Sequence, residues 1–428
     1  MIINDITMRN YRCFSNVQVF FTYPLTVLAG VNGSGKSTIL DALAIAIGTF
    51  LSGFDGMSNS GISKEDVLYK CYDMGSVIDL QPQYPASILA HGFIDKTMLE
   101  WERTLQGPTG RTTIVGAKQL IDVAESYQRR IREGDVTAIL PIISYYGTGR
   151  LWAQKKEKRE NDELQKFSRE KGYMDCLASE SNEKMMLKWF QKMTIQEATK
   201  GTTSPELSAV KRAIAACFES ITGFDKVEIQ FNLDTHAIDI LYMTEDGNHR
   251  RSPINDLSDG YKNTLSMVAD IAYRMALLNP QLFDNVLNDT PGVVLIDEID
   301  LHLHPTWQKR ILNDLTTIFP KVQFIVSTHA PAVLNSIKNG AILVIKDNKA
   351  FSLPKSMYGR DANSIMREVM ETSERPEEVK ILFEKFYNEM SDKNLDEAKT
   401  TLDTITKLVG ESDPEIVSCI VSLELEQL

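Results

Sequence analysis

The apolar stretches of this chain alternate in length between those of buried strands and those of helices. Leu25–Ala29 has the length of a buried strand, and residues 38–47, which follow closely, have that of a buried helix. The alternation returns in the second half of the chain, and this order builds a parallel sheet with helices on its faces. It predicts strands at residues 292–298, 323–329 and 342–345, and a helix at residues 305–318.

Shorter runs that mix apolar and polar positions predict a second, antiparallel component. Residues 3–21 predict two strands at a sheet edge, joined at residues 10–14. Between residues 51 and 131, runs such as 87–93 and 97–104 predict an antiparallel sub-sheet packed beside the first sheet. Residues 140–146 predict a strand that returns to the centre of the parallel sheet and ends at Gly147-Thr-Gly149.

Composition divides the chain into four parts. Residues 1–150 form the first lobe, and residues 151–205, with mixed charge and many helix formers, predict a helical insertion. Residues 206–355 form the second lobe, and residues 356–428 predict an acidic helical extension. The predicted fold class is therefore α/β, with two lobes around a mainly parallel sheet. Further predicted elements are a helix at 210–218, strands at 227–231 and 238–242, and helices at 261–278, 379–390, 398–409 and 414–424.

The overall composition is that of an ordinary soluble protein, with 43% hydrophobic and 24% charged residues in a chain of 428. No apolar run approaches the roughly 20 residues that cross a bilayer, and the first residues form no basic leader, so we expect a cytoplasmic protein without a membrane partner. The five cysteines are widely spaced, which favours buried free thiols over a zinc site or disulfides.

Charge is placed unevenly along the chain. The net charge is −12, and residues 356–428 hold eight basic against seventeen acidic residues, a balance of −9. An acidic tail and a nearly neutral body do not suggest a large nucleic-acid surface, although local basic patches remain open. The basic run 155–159 could contact phosphates, but its interleaved acidic residue favours a solvated helix face.

The stretch Gly30-Val-Asn-Gly-Ser-Gly-Lys-Ser37 lies between the first predicted strand and helix, which is the context of a phosphate-binding loop. Its glycines let backbone N–H groups converge on a phosphate, and the helix start points its positive end at the same anion. Lys36 would bridge the β- and γ-phosphates of ATP, and Ser37 would bind Mg²⁺. The alternative is a glycine-rich turn that matches by accident. The other predicted nucleotide contacts of the loop are Asn32, Gly33, Ser34, Gly35 and Thr38.

Two further segments fit a nucleotide-hydrolysing site. Four apolar residues end in Asp297 and Glu298, so a buried strand would deliver Asp297 to Mg²⁺ and Glu298 to the attacking water. In Leu257-Ser-Asp-Gly260, Ser258 and Gly260 at a helix start would face a γ-phosphate. Taken alone, this second segment is better explained as an ordinary capped helix start, because Ser-Asp-Gly is good N-cap chemistry.

Together these motifs resemble, over residues 1 to about 350, the ABC-type ATPases. In that family a Leu-Ser-x-Gly signature follows the P-loop, and the Asp-Glu strand, a D-loop and a switch histidine complete the set. The resemblance assigns Asp300 to the D-loop and His329 to the γ-phosphate. It implies an ABC-ATPase head and at least a homodimer, in which Ser258 and Gly260 of one subunit complete the P-loop site of the other.

Residues 6–14 resemble the opening of the RecF and SMC group, where an early arginine touches bound nucleotide, and Arg12 is the best match. The alternative is that Arg12 is a plain surface arginine. Residues 298–305 resemble that group and the OLD-type ATPases. No glutamine follows the strand at 140–146, so the Q-loop role is unassigned, with Gln106 and Gln154 as substitutes. The insertion is too short for an SMC coiled coil, and no Toprim pattern follows the ATPase segments.

The segment Tyr145-Tyr-Gly-Thr-Gly-Arg-Leu-Trp152 and the acidic tail resemble the PtuA-type ATPase subunits of Septu anti-phage systems, which also occur in some retrons. That resemblance implies a homo-oligomer controlling a separate HNH nuclease, which could dock on the helices after Glu377, with nucleic acid bound through the complex. Two alternatives are a RecF-like repair ATPase that binds DNA directly and a nucleotide-binding subunit of a transporter.

Overall fold

The computed structural model describes residues 1–428 except 58, 76, 152–167, 179–182, 245, 354–356, 371, 373–374 and 427–428. The basic run at 155–159, Gln154 and Trp152 lie outside the described residues. The chain divides into two compact units, Met1–Asp361 and Ala362–Leu428.

The described strands carry the labels β1 to β15 in chain order. They are β1 (Ile2–Tyr11), β2 (Phe14–Phe20), β3 (Leu25–Ala29), β4 (Tyr69–Asp73), β5 (Ile78–Pro82), β6 (Ala86–Ile94), β7 (Thr97–Leu105), β8 (Ile142–Tyr146), β9 (Asp225–Asn232), β10 (Ala237–Met243), β11 (His249–Pro253), β12 (Gly292–Ile296), β13 (Val322–Thr328), β14 (Ala341–Lys346) and β15 (Lys349–Ser352).

The described α-helices are labelled in the same way. They are α1 (Lys36–Gly48), α2 (Lys118–Arg132), α3 (Glu183–Lys200), α4 (Pro205–Thr222), α5 (Asp259–Leu278), α6 (Val286–Asp289), α7 (Pro305–Gln308), α8 (Ile311–Ile318), α9 (Pro331–Leu334), α10 (Ala362–Val369), α11 (Glu377–Ser391), α12 (Leu395–Val409) and α13 (Pro414–Glu426).

A six-stranded sheet in the order β15-β14-β3-β13-β12-β8 forms the centre of the first unit. All its neighbouring pairs are parallel except β14 with β15. Every residue of β3, β12 and β13 is buried, so these strands show no regular alternation of apolar and polar residues. Their only polar side chains are those of Thr26, Gln323, Ser327 and Thr328. The predicted mainly parallel sheet is confirmed.

Strand β8 lies at the edge of this sheet, so its predicted central position is wrong. Among the described strands it pairs with β12 only, yet four of its five residues are buried. Side chains at its end reach α1 on one face and α5 on the other. Because both faces are covered, an edge strand here has the composition of a central one.

The antiparallel component is a four-stranded sheet in the order β2-β1-β6-β7. It confirms the predicted hairpin near the start of the chain and the sub-sheet. Of the two hairpin strands, however, only β2 lies at an edge of the sheet, and β1 is an inner strand. Strands β4 and β5 form a separate pair. Helix α2, at the end of the range 51–131, was not predicted. It buries Leu120, Ala124 and Tyr127 at helical spacing.

The second lobe contains a three-stranded sheet, β11-β10-β9, next to the helix pair α4 and α5. Strand β11, with the sequence His-Arg-Arg-Ser-Pro, was not predicted because it lacks apolar residues. The predicted helix at 305–318 forms as α7 and α8, separated by a two-residue turn.

The second unit is helical, as predicted, with α10 as an additional helix. Its core consists of apolar side chains at helical spacing on α11, α12 and α13, among them Phe386, Ile405 and Ile416. Gly410, at φ 99°, ends α12 and allows the chain to turn into α13.

Helix α1 and the turn after it, Lys36–Gly53, are long and apolar enough to cross a membrane by length and composition, but 72% of this stretch is buried. Its side chains belong to the core between the two main sheets: Trp101 of β7 is fully buried and donates its indole N–H to the carbonyl of Ala46, 3.0 Å away.

Gln323 of β13 joins the central sheet to the antiparallel one. Its side-chain amide donates to the carbonyl of Ile3 at 2.8 Å, and its oxygen accepts from the Ile3 N–H at 2.7 Å. Gln323 is completely buried, so no water replaces these bonds. The side chain therefore acts as one rung of a strand ladder between two sheets.

Replacing Gln323 with Leu should destabilise the protein, because the N–H and carbonyl of Ile3 would be buried without partners. Each such group costs about 1–3 kcal/mol, so we expect a loss of about 2–4 kcal/mol in the free energy of unfolding. Urea denaturation measures it. The same change at the exposed Gln81 should cost less than about 0.5 kcal/mol. Equal losses at the two positions would contradict the assigned role of Gln323.

Candidate functional site

The glycine-rich loop joins β3 to α1 in a conformation that requires glycine. Gly33 and Gly35 have φ values of 80° and 103°, in the left-handed region. A Cβ on Gly35 would lie 2.6 Å from the ring of Phe14, so the β1–β2 turn packs directly against the loop. The predicted strand–loop–helix arrangement is thus present, with Gly35 as the N-cap of α1.

Lys36 lies over this loop. Its amine donates to the carbonyls of Gly30 and Val31, both at 2.9 Å. Burial lowers the pKa of Lys36, while the negative charges of Asp297, Glu298 and Asp300 act in the opposite direction. The amine therefore stands in the field of the acidic residues that follow β12.

The remaining predicted loop contacts differ in exposure. Asn32, Gly33 and Ser37 are exposed, and Thr38 is half-buried at the start of α1. The hydroxyl of Ser34 is buried and has no hydrogen-bond partner within the described residues. The loop offers a phosphate group several hydrogen-bond donors: backbone N–H groups next to its left-handed glycines, the Ser34 hydroxyl and the Lys36 amine. These residues therefore fit a nucleotide.

Asp297 and Glu298 follow β12 directly and are held by the neighbouring strand β13. The hydroxyl of Ser327 donates to the carboxylate of Asp297 and accepts from the N–H of Glu298 at 2.8 Å. Asp297 also donates its own N–H to the carbonyl of Tyr146 at 2.8 Å. Glu298 has a φ of 46°, so the chain turns sharply here.

Asp300 and His329 meet beyond this turn. Thr328 donates to one oxygen of Asp300 at 2.5 Å, and the Nε2 atom of His329 lies 3.5 Å from the other. Sequence reasoning missed Ser327 and Thr328. Their position just before His329, at the end of a predicted strand beside β12, was the only available signal.

A pocket of about 560 Å³, within the usual size range of ligand sites, opens beside the loop. It brings together four of the predicted residues, Ser37, Asp297, Glu298 and Arg12. Its other lining residues are Asp41, Ala44, Ile45, Ser60, Gly61, Asp66, Tyr145, Gly147, Thr148, Gly149 and Leu177.

Arg12 enters this pocket from the β1–β2 turn, where its φ is 47°. Its Nε donates to Asp66 at 2.8 Å, and a second guanidinium nitrogen pairs with Asp41. Two of its nitrogens thus face carboxylates of the same chain. Its contact with a nucleotide stays a prediction.

Ser258 and Gly260 lie at the start of α5 and are not among the described residues that line the pocket. A Cβ on Gly260 would lie 2.5 Å from the carbonyl oxygen of His302, so α5 touches the loop that follows Glu298. The rings of Tyr261 and Trp307, 4.0 Å apart, pack beside this contact. The α5 tip and that loop thus form one surface.

Comparison with known proteins gives both a family and a fold. An AAA domain model matches residues 5–222. A second AAA domain model, whose description refers to the AbiEii toxin of a type IV TA system, matches residues 137–335. In structure, the chain resembles the Smc head bound to the C-terminal winged-helix domain of ScpA, at a TM-score of 0.50 and 18% identity, covering 82% of this chain and 98% of that one. The predicted ATPase-head fold is confirmed.

Two curated relatives are each 26% identical to the chain. The "Retron Vc95 probable ATPase" of Vibrio cholerae serotype O1 biovar El Tor aligns over 90% of this chain and 82% of its own length. The "Septu protein PtuA" of Bacillus mycoides (strain KBAB4) aligns over 81% of this chain but only 41% of its own length. The predicted resemblance to the PtuA and retron ATPases is confirmed.

Replacing Ser327 with Ala should slow ATP hydrolysis, because Asp297 and Glu298 would lose the hydroxyl that orients both. Loss of such a supporting partner typically costs about 10–100-fold in activity, and we expect a lower kcat with a smaller change in ATP affinity. Steady-state phosphate release and ATP titration measure the two quantities. Ser336→Ala, which removes a hydroxyl bonded to the carbonyl of Val333, is the control. Unchanged turnover in Ser327→Ala would contradict this role.

Proposed function

The chain belongs to the AAA domain family of ATPases, and we propose that two copies close around ATP and Mg²⁺ to control a partner nuclease in anti-phage defence. One observation carries the ATP site: the phosphate-type loop with Lys36 and Ser37 lies beside the pocket that contains Asp297 and Glu298. These parts come from chain segments about 260 residues apart, and they meet at the carboxyl-terminal end of the central sheet.

The proposed roles follow from the chemistry of each side chain. The loop N–H groups and Lys36 hold the β- and γ-phosphates, and Ser37 and Asp297 hold the metal. When bound, Mg²⁺ neutralises negative charge on the phosphate oxygens. Glu298 orients the attacking water and accepts its proton, and His329, whose Nε2 lies 3.5 Å from Asp300, contacts the γ-phosphate.

A second copy supplies the remaining contacts. Ser258 and Gly260 lie outside the pocket of their own chain, at the start of a 20-residue helix whose positive end suits an anion. We therefore place these two residues at the γ-phosphate of the partner copy. A homodimer with two ATP sites is the smallest assembly that completes a site.

The proposed biological setting is a cytoplasmic complex in which a separate HNH nuclease cleaves nucleic acid. Support comes from the likeness to a retron ATPase and to a Septu protein. The second unit is a candidate docking surface, because residues 356–428, which include it, contain seventeen acidic and eight basic residues. Helix α13 also exposes Val417, Val421 and Leu425. A nuclease with a basic, partly apolar surface would complement it.

Replacing Lys36 with Ala should abolish tight ATP binding, because the phosphates lose their only proposed lysine contact. Hydrogen bonds to charged groups contribute about 1.5–3 kcal/mol, so we expect affinity to fall roughly 10–100-fold. Titration with fluorescent ATP in the presence of Mg²⁺ measures it. Lys399→Ala, at an exposed position of α12, should bind as the unchanged protein does. Unaltered affinity in Lys36→Ala would show that the nucleotide lies elsewhere.

Replacing Glu298 with Gln should block hydrolysis while ATP stays bound, because an amide cannot accept the proton of the water. A general base contributes about 10²–10⁴-fold to the rate. We expect ATP, but not ADP, to convert this variant into dimers in analytical ultracentrifugation. Adding Ser258→Arg, which should block the partner's site, is expected to prevent this dimerisation. A variant that hydrolyses ATP normally, or stays monomeric with ATP, would contradict the assignment.

A further inference from the structure

Two consecutive tyrosines end β8, and each reaches a carboxylate on a different helix. Because successive side chains of a strand point to opposite faces, Tyr145 and Tyr146 reach different layers of the protein. The hydroxyl of Tyr145 donates to Asp41 of α1 at 2.8 Å. The hydroxyl of Tyr146 donates to Asp270 of α5 at 2.7 Å. One strand end therefore bonds to both helices that carry the proposed ATP-site residues.

The Tyr145 bond belongs to the nucleotide side. Asp41 lies four residues after Ser37 on α1 and so faces the same direction, and both line the pocket. Its second oxygen pairs with Arg12. Burial and the charge of Asp41 raise the pKa of Tyr145, so its hydroxyl stays a neutral donor. The pair fixes α1 just beyond the phosphate-binding loop.

The Tyr146 bond belongs to the side offered to a second copy. Asp270 also accepts from the Nε of Arg274 at 2.7 Å, and this arginine is almost completely buried. Arg274 donates in turn to the carbonyls of Gly172 and Met174, at 3.0 and 2.9 Å. Tyr146 thus belongs to a buried network that anchors α5, the helix that begins after Ser258.

The backbone of Tyr146 makes a third connection. Its carbonyl accepts the N–H of Asp297 at 2.8 Å. The last two residues of β8 therefore contact α1, α5 and the turn at Asp297. Gly147, Thr148 and Gly149, which follow directly, line the pocket.

We propose that Tyr145 and Tyr146 are positioning residues for ATP hydrolysis: Tyr145 sets the nucleotide half-site of its own chain through Asp41, and Tyr146 sets the half-site given to the second copy through Asp270. This proposal rests on the composite ATP site proposed above. Neither hydroxyl reacts with ATP. Each holds a helix at a fixed distance from β8.

The two halves predict different kinetic effects of the same chemical change. Tyr145→Phe removes one oxygen on the nucleotide side, so it should weaken ATP binding by each chain about 3–10-fold. Tyr146→Phe should leave ATP binding within about twofold but lower kcat and ATP-dependent dimerisation about 5–50-fold. The readouts are fluorescent-ATP titration of the full chain, steady-state turnover, and sedimentation of each variant combined with Glu298→Gln.

Controls separate positioning from general stability. Tyr127→Phe removes an equivalent hydroxyl, bonded to Asp95 in the first lobe, and should change none of these readouts. If Tyr145 acts through Asp41, the double variant Tyr145→Phe/Asp41→Asn should bind ATP no more weakly than the weaker single variant. A purely structural role would lower the melting temperature without separating binding from turnover.

Each outcome decides the proposal. Weaker binding in Tyr145→Phe together with lost dimerisation in Tyr146→Phe supports it. Parallel changes in binding and turnover for both variants, or unchanged readouts in folded variants, would overturn it. If Lys36→Ala also binds ATP normally, the nucleotide site itself is wrong. If Lys36→Ala loses ATP and the tyrosine variants do not differ, only the inference about β8 fails.

Discussion

The parallel register of four strands is the constraint on which the candidate site depends. Strand β12 pairs Ile296 with Tyr146 of β8 and with Val326 of β13, and β13 pairs Thr328 with Ala29 of β3. The carboxyl-terminal ends of all four strands therefore lie at the same end of the sheet. A segment of the candidate site follows directly after each strand. Backbone hydrogen bonds inside a sheet buried on both faces hold this alignment. A shift of one strand would separate Asp297 from Ser327, and both from the loop.

Charge balance at this edge explains why a cation belongs in the proposed chemistry. The pocket carries Asp41, Asp66, Asp297 and Glu298, and its own arginine is already paired with two of these carboxylates. A triphosphate adds further negative charge in a partly enclosed space, where repulsion is stronger than in water. Lys36 alone does not offset it. On the proposed function, the acidic lining favours binding of ATP as its magnesium complex over binding of the free anion.

The sequence was most informative where local composition and final burial agree. The sequence on either side of the loop at residues 30–37 and of the apolar run before Asp297 indicates the local structure, so the strand–loop–helix arrangement and strand β12 were both predicted correctly. Strand β11 was missed because its sequence, His-Arg-Arg-Ser-Pro, has no apolar pattern that would indicate a strand. The position of β8 was wrong because helices cover an edge strand on both faces.

Supporting side chains could not be found in the same way. Ser327, Asp41 and Tyr145 are common residue types, and their hydrogen-bond partners lie 29 to 104 positions away in the chain. Only the folded register shows which hydroxyl meets which carboxylate. The motif segments were therefore recognisable in the sequence, whereas these long-range contacts were not.

The close approach of Gly260 to the carbonyl of His302 has a genetic consequence. A side chain at this position would displace the α5 tip, which on the proposed arrangement serves the neighbouring copy and not its own chain. In a cell that expresses altered and unaltered copies together, each mixed dimer would contain one defective ATP site. In that site the unaltered chain supplies the phosphate-binding loop and the altered chain supplies the α5 tip. Such an allele should act dominantly, because the fraction of unaltered chains with a defective ATP site rises with the fraction of altered protein.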